Sequence, residues 1–189
     1  MKISFKDIFL IPNLISLFRL FLVIPIIYIF LNYNIIPSPN YFVVSIILLA
    51  FFSDITDGFV ARKTGQISEM GKLIDPLADK ILTGVIIIFL WLFEYIPLLY
   101  LLILLIRDVV IFSGGIYLTR KTMTIAPSNY FGKLTIFSIG IYFLSLLLLQ
   151  KENPLSLIMM YLSGFLSIAS IFVYFIRGIK ILKGHGNIQ

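Results

Sequence analysis

The chain has no cysteine, one histidine, one tryptophan and few charges of either sign, and each scarcity narrows what it can be. Without Cys there are no disulfides, no thiolate catalysis and no Cys-ligated zinc or iron–sulfur site. The lone His185 lies in a polar tail flanked by Gly. Charged residues make up 13% of the 189 positions, against about a quarter in ordinary globular chains. Hydrophobic residues reach 60%, and the mean hydropathy is +1.05. That balance points to the bilayer as solvent. Six spans of about 20 residues would use roughly 120 positions, which leaves no room for an appended soluble domain. Lys and Arg outnumber Asp and Glu by 15 to 9, a net charge of +6. In a soluble protein this could suggest nucleic acid. Here no nucleic-acid partner is expected, because cations beside apolar runs mark the cytoplasmic side or meet anionic lipid and phosphate.

Six apolar runs cover residues 8–31, 41–60, 73–93, 97–118, 130–149 and 155–176. The first begins after Lys2 and Lys6, but Asn13 and Arg19 interrupt it and no small-residue cleavage pattern follows, so it reads as retained. The N-terminus, the 61–72 and 119–133 connections and the tail from Arg177 carry nearly all cations outside the spans, whereas the opposite connections carry only Lys151. The expectation is an all-α integral membrane protein, a single domain over 1–189, with six transmembrane helices and both termini cytoplasmic. Gly114, Gly115, Ser163, Gly164 and Ser167 are expected to let helices approach closely. The tail, with Lys180 and Lys183, is expected to anchor to anionic membrane lipids.

Five of the nine acidic residues fall between Asp54 and Asp79, and four of them are aspartates on strongly apolar segments. An ionised carboxylate in hydrocarbon is costly, and such residues usually face a cavity or a partner. Asp54, Asp57, Gly58 and Ala61 stand at i, i+3, i+4 and i+7, one stripe of a helix; Gly71, Asp75 and Asp79 recur every four residues and share another. Pro76 is either an early helical position or a kink. Thirteen residues precede Asp54 in its span and thirteen follow Lys80 in the next, so the two acidic pairs lie at similar depth. The hairpin is expected to bring them together nearer the cytoplasmic face. Two divalent cations would neutralise four carboxylates, and oxygen donors without His or Cys suit Mg2+ or Mn2+. Arg62, Lys63 and Lys72 between the pairs could hold phosphate oxygens.

The segment DITDGFVARKTGQISEMGKLIDPLADK resembles the signature of the CDP-alcohol phosphotransferase family, D-x-x-D-G-x-x-A-R followed after eight residues by G-x-x-x-D-x-x-x-D. Asp54, Asp57, Gly58, Ala61, Arg62, Gly71, Asp75 and Asp79 fill all eight fixed positions. PNLISLFR near the N-terminus is similar to the Asn-x-x-Thr/Ser-x-x-Arg element of bacterial phosphatidylglycerophosphate synthases. The resemblance implies a phosphatidyl transferase of phospholipid biosynthesis in a bacterial cytoplasmic membrane, with its site facing the cytoplasm. It implies that Asp54, Asp57 and Asp75 hold one metal and Asp54, Asp75 and Asp79 the other, with Asp79 also the general base. Asn13, Ser16, Gly58, Ala61, Arg62 and Gly71 would bind CDP-diacylglycerol, and Ser68 stands where the family often has a hydroxyl near that ligand. It implies a possible homodimer as well.

The acceptor is expected to be glycerol 3-phosphate. RDVVIFSGG and APSNYFGKLTIF are also similar to the cardiolipin synthase branch, whose acceptor is phosphatidylglycerol, and Asp108 stands where the first branch commonly has Glu. Arg107 with Lys133 is the candidate clamp for an anionic acceptor. Because Arg107 and Asp108 point about 100° apart on a helix, each is expected to have another partner rather than to form a self-contained pair. A cation or proton transporter is the remaining alternative; it would more naturally place acids near the midplane of two repeated halves, and the second half has no matching acidic pair.

Overall fold

The computed structural model describes residues 10–64, 71–122 and 130–186, and every described element is a helix or a turn. Two compact units divide the chain at Phe93 and Glu94. The first contains α1 (Ile11–Phe21), α2 (Val23–Leu31), α3 (Pro39–Thr64) and α4 (Gly71–Leu92); the second contains α5 (Leu98–Thr122), α6 (Tyr130–Leu149) and α7 (Pro154–Gly186).

Among the described residues, five segments are long and apolar enough to cross a membrane: Asn13–Leu31, Pro39–Thr56, Leu98–Lys121, Tyr130–Leu149 and Pro154–Leu182. The expected third span, α4, is 22 residues long but carries Lys72, Asp75, Asp79 and Lys80 within its first ten residues. Its composition therefore falls short of a plain hydrophobic span. The first expected span is two helices meeting at Leu22. Pro25 has no N–H to return to the Phe21 carbonyl, so the ladder loses one rung there. It resumes on either side through Leu22 N–H to Phe18 O (3.1 Å) and Ile26 N–H to Leu22 O (3.4 Å).

In the first unit α1 and α2 each pack against both α3 and α4. The apolar side of this assembly buries Ile26, Ile29 and Phe30 of α2, Val43, Val44 and Ala50 of α3, and Ala78, Leu82, Ile86 and Leu90 of α4. At the end of α4 far from its acids, Phe30 stacks on Phe89 with centroids 4.4 Å apart, and Tyr33 tilts against Phe93 at 4.7 Å. Contacts of this kind add about 0.5–1.5 kcal/mol to simple burial. The turn into α3 is tied by Tyr33 Oη donating to Asn40 Oδ1 at 2.6 Å.

In the second unit α7 packs against both α5 and α6. Ser163, Ser167 and Ser170 are buried along α7, and each hydroxyl donates to a carbonyl of its own helix at 2.6–2.7 Å. Small, internally satisfied side chains let neighbouring backbones come close without leaving a polar group unpaired. Tyr100 uses this by hydrogen bonding Ser163 (2.7 Å), and its ring lies within contact of a Cβ built on Gly164. The expectation therefore holds for Ser163, Gly164 and Ser167. Among the described residues, a Cβ added at Gly114 or Gly115 meets nothing within 4 Å; Leu118, one turn on, reaches Gly178 of α7 with its long side chain. The close glycine contact is at Gly132 of α6, whose Cβ would stand 2.9 Å from Tyr174 Oη.

The helix of the last span continues ten residues beyond its apolar run, to Gly186, so Arg177, Lys180 and Lys183 extend it rather than forming an irregular tail. At 1.5 Å per residue α7 is about 50 Å long, longer than the roughly 30 Å hydrocarbon layer. Its start is specified by Asn153, whose Oδ1 accepts from Leu155 N–H at 3.0 Å ahead of Pro154 in the first helical position. Asn153→Ala is expected to lower the melting temperature in detergent by about 2–4 °C, the equivalent of about 1 kcal/mol for a lost cap.

Candidate functional site

Asp54, Asp57, Gly58 and Ala61 all lie within the unbroken helix α3, and Gly71, Asp75 and Asp79 within α4, so both predicted stripes exist as helical faces. Pro76 sits in the second turn of α4, which runs on uninterrupted through it.

The convergence is organised by α1. Its residues Asn13, Ser16 and Arg19, three apart along one broad face, are 2%, 0% and 1% exposed. Ser16 Oγ donates to Asp75 Oδ1. Arg19 Nη1 donates to Asp54 Oδ1 on α3 at 2.6 Å and also to Asp79 Oδ1 on α4. Two oxygens sharing one donor nitrogen can be no further apart than two hydrogen bonds, about 6 Å. Asp54 and Asp79 are thereby tied to one point although 25 residues separate them in the sequence. Their side chains remain 57% and 48% exposed, so the cluster has a closed floor on α1 and an open side.

Arg19 is the functional candidate that the sequence reading passed over. The signal was present: an intramembrane cation, on the same helix face as two buried polar residues, in a chain whose neighbouring spans carry four acids.

Asp57, Gly58, Ala61, Arg62 and Gly71 are placed by their helical backbone, while their side chains fall outside the described residues; Ser68 lies wholly outside them. Among the described residues no group of three acidic side chains stands ready round one ion, since Asp54 and Asp79 turn to Arg19 and Asp75 turns to Ser16. The donor chemistry still fits a hard divalent cation. Two carboxylates, Asp54 of α3 and Asp79 of α4, reach the Arg19 guanidinium and a third, Asp75, reaches Ser16 on the same helix as Arg19; these donors are all oxygen, and one arginine offsets only part of their charge.

In the second unit Arg107 is 7% exposed. Its Nε donates to Ser170 Oγ on α7 at 3.3 Å and its Nη1 to Asp108 Oδ1 at 2.8 Å. The expected second partner is there, but so is the adjacent pair that helix geometry argued against. The guanidinium arm is long enough to span the angular gap between neighbouring positions. Lys133 is exposed on the first turn of α6.

Residues 9–169 match the CDP-alcohol phosphatidyltransferase family. The chain is 39% identical over 137 residues to a CDP-diacylglycerol–glycerol-3-phosphate 3-phosphatidyltransferase of Aquifex aeolicus, covering 71% of this chain and 74% of that one. It is 30% identical over 206 residues to a protein of the same name from Mycoplasma genitalium, with 94% and 87% covered. A CMP-forming cardiolipin synthase of Rattus norvegicus is 32% identical over 121 residues, 64% of this chain and 38% of the relative.

Proposed function

We propose, from the premise that this chain belongs to the CDP-alcohol phosphatidyltransferase family, that it transfers the phosphatidyl group of CDP-diacylglycerol to glycerol 3-phosphate with release of CMP. The observation that carries this reading is the meeting of Asp54, Asp75 and Asp79 from two apolar helices on the buried polar face of α1. Such a cluster suits a reaction whose polar centre must be kept at the edge of the hydrocarbon. The donor has acyl tails in lipid and a head that meets a water-soluble alcohol.

In the proposed transfer, the acceptor hydroxyl oxygen forms a bond to the lipid-side phosphorus and the bond to the bridging oxygen of the pyrophosphate breaks. CMP departs with that oxygen, and the hydroxyl proton passes to Asp79. An alcohol is a weak nucleophile at neutral pH, so a positioned carboxylate supplies a large part of the acceleration, about 10²–10⁴-fold. Asp54, Asp57 and Asp75 would hold one divalent cation and Asp54, Asp75 and Asp79 a second, Mg2+ or Mn2+. Bound there, the ions would offset charge on the phosphate oxygens. Asn13, Ser16, Gly58, Ala61, Arg62, Ser68 and Gly71 are the proposed nucleotide and pyrophosphate contacts.

The charge asymmetry of the connections supports six spans with cytoplasmic termini in a bacterial cytoplasmic membrane, the whole chain serving as one catalytic domain able to pair as a homodimer. Glycerol 3-phosphate is favoured because the Aquifex and Mycoplasma relatives are named for it. The second reading, transfer to phosphatidylglycerol, is favoured by relatives named cardiolipin synthase.

Incubating the purified chain with labelled CDP-diacylglycerol and each alcohol in turn separates these readings. Release of CMP dependent on glycerol 3-phosphate, with phosphatidylglycerophosphate as product, is expected. Cardiolipin formed from phosphatidylglycerol would move the assignment to the second reading, and no CMP with any alcohol would refute transfer altogether, as for a transporter. In the same assay Arg107→Ala is expected to raise the KM for glycerol 3-phosphate about tenfold or more, the usual weight of a charged hydrogen bond. An unchanged KM would remove Arg107 from the acceptor pocket and leave it the structural link between α5 and α7.

A further inference from the structure

We infer that Arg19 is the resident counter-cation of the carboxylate cluster and that divalent ions must displace it, so that metal loading exchanges the contacts of its Nη1 with Asp54 and Asp79 for metal–oxygen contacts. The inference rests on the proposed role of those two aspartates as metal ligands.

Three observations carry it. The first is placement: one nitrogen of Arg19 serves a carboxylate from α3 and another from α4, and α1 packs on both helices. The second is burial. At 1% exposure the guanidinium cannot be drawn off into water, and arginine cannot shed its charge as a buried lysine can. The third is stoichiometry. Ser16 and Arg19 take one oxygen each from Asp75, Asp54 and Asp79, the same residues whose family-like spacing points to metal.

A hard cation binds carboxylate oxygen at about 2.0–2.1 Å when it is Mg2+. Placed on the oxygens that Arg19 now holds, it would stand within about 5 Å of Nη1, two positive charges competing for the same carboxylate oxygens. They exclude one another. In the metal-free protein Arg19 therefore keeps repelling acids together, and in the loaded protein it is the group that had to move.

This assigns Arg19 opposite effects on two measurements, which a merely structural arginine would not show. The test uses the full chain in detergent, comparing wild type, Arg19→Gln and Arg19→Lys by thermal unfolding in chelator and in saturating Mn2+, and by Mn2+ binding read from the electron paramagnetic resonance of free Mn2+. Arg19→Gln is expected to melt about 5 °C or more below wild type in chelator, to regain most of that loss in Mn2+, and to bind Mn2+ about tenfold tighter. Arg19→Lys keeps the charge but lacks the planar fork. It is expected to stay folded in chelator and to bind Mn2+ with an affinity between the other two, so the inference can be tested even if Arg19→Gln is not recovered. Equal melting losses with and without Mn2+, or Mn2+ affinity that is unchanged or weaker in both variants, would overturn the exchange while leaving the metal site intact. Wild type that takes up no Mn2+ would overturn the metal reading of the aspartates itself.

Discussion

Asp79→Asn is expected to leave the chain folded and to abolish CMP release from CDP-diacylglycerol. The substitution is nearly isosteric, and the amide keeps an oxygen able to accept from Arg19 Nη1, one of the two described side-chain hydrogen bonds between α1 and α4. The Asp54 arm of the same guanidinium, at 2.6 Å, is untouched. An amide, however, cannot take a proton from an alcohol at neutral pH. Loss of a general base alone costs about 10²–10⁴-fold, and loss of a negative ligand would add to it. The check is labelled CMP release alongside thermal unfolding and elution volume in detergent. Turnover within about tenfold of wild type would remove Asp79 from the base role, because general-base contributions are larger than that.

Chelation should have a comparable effect on catalysis and a much smaller one on structure. With EDTA the expected CMP release is background, restored by Mg2+ or Mn2+ and not by a soft thiophilic ion, because the described donors are all carboxylate and hydroxyl oxygens. The protein should nonetheless remain folded, since Arg19 already bridges Asp54 and Asp79. Undiminished CMP release in excess chelator would end the metal-dependent reading. Loss of activity through general unfolding would instead show that one arginine is too little compensation.

The parts of this fold that could be read in advance are those set by local pattern. α6 covers its mostly apolar run, Tyr130–Leu149, because hydropathy changes abruptly at both ends. The stripes containing Asp54 and Asp75 follow from helical periodicity alone, and both helices run through them. Where hydropathy and helicity part company the reading was less accurate. The last helix continues past Ile176 into charged residues that end an apolar run without ending a helix, and Pro25 interrupts a segment that hydropathy alone treats as continuous. The acids were expected to be brought together by their own hairpin; among the described residues they meet through α1. That depends on the rotation of α1 about its axis, a property of packing between helices remote in sequence. For the same reason the side-chain reach that closes Arg107 onto Asp108 lies beyond an argument from backbone angles.

The position of Arg19 has a consequence for how the protein is made. It is synthesised 35 residues before Asp54 and 60 before Asp79, so during insertion α1 enters the lipid carrying a cation whose neutralising groups do not yet exist. An arginine at the centre of a span raises the cost of insertion by about 2.5–3.5 kcal/mol, and one nearer the interface by a smaller amount. The first span is therefore at its least comfortable in the bilayer when it stands alone, and the arrival of the third and fourth helices is what fastens it there.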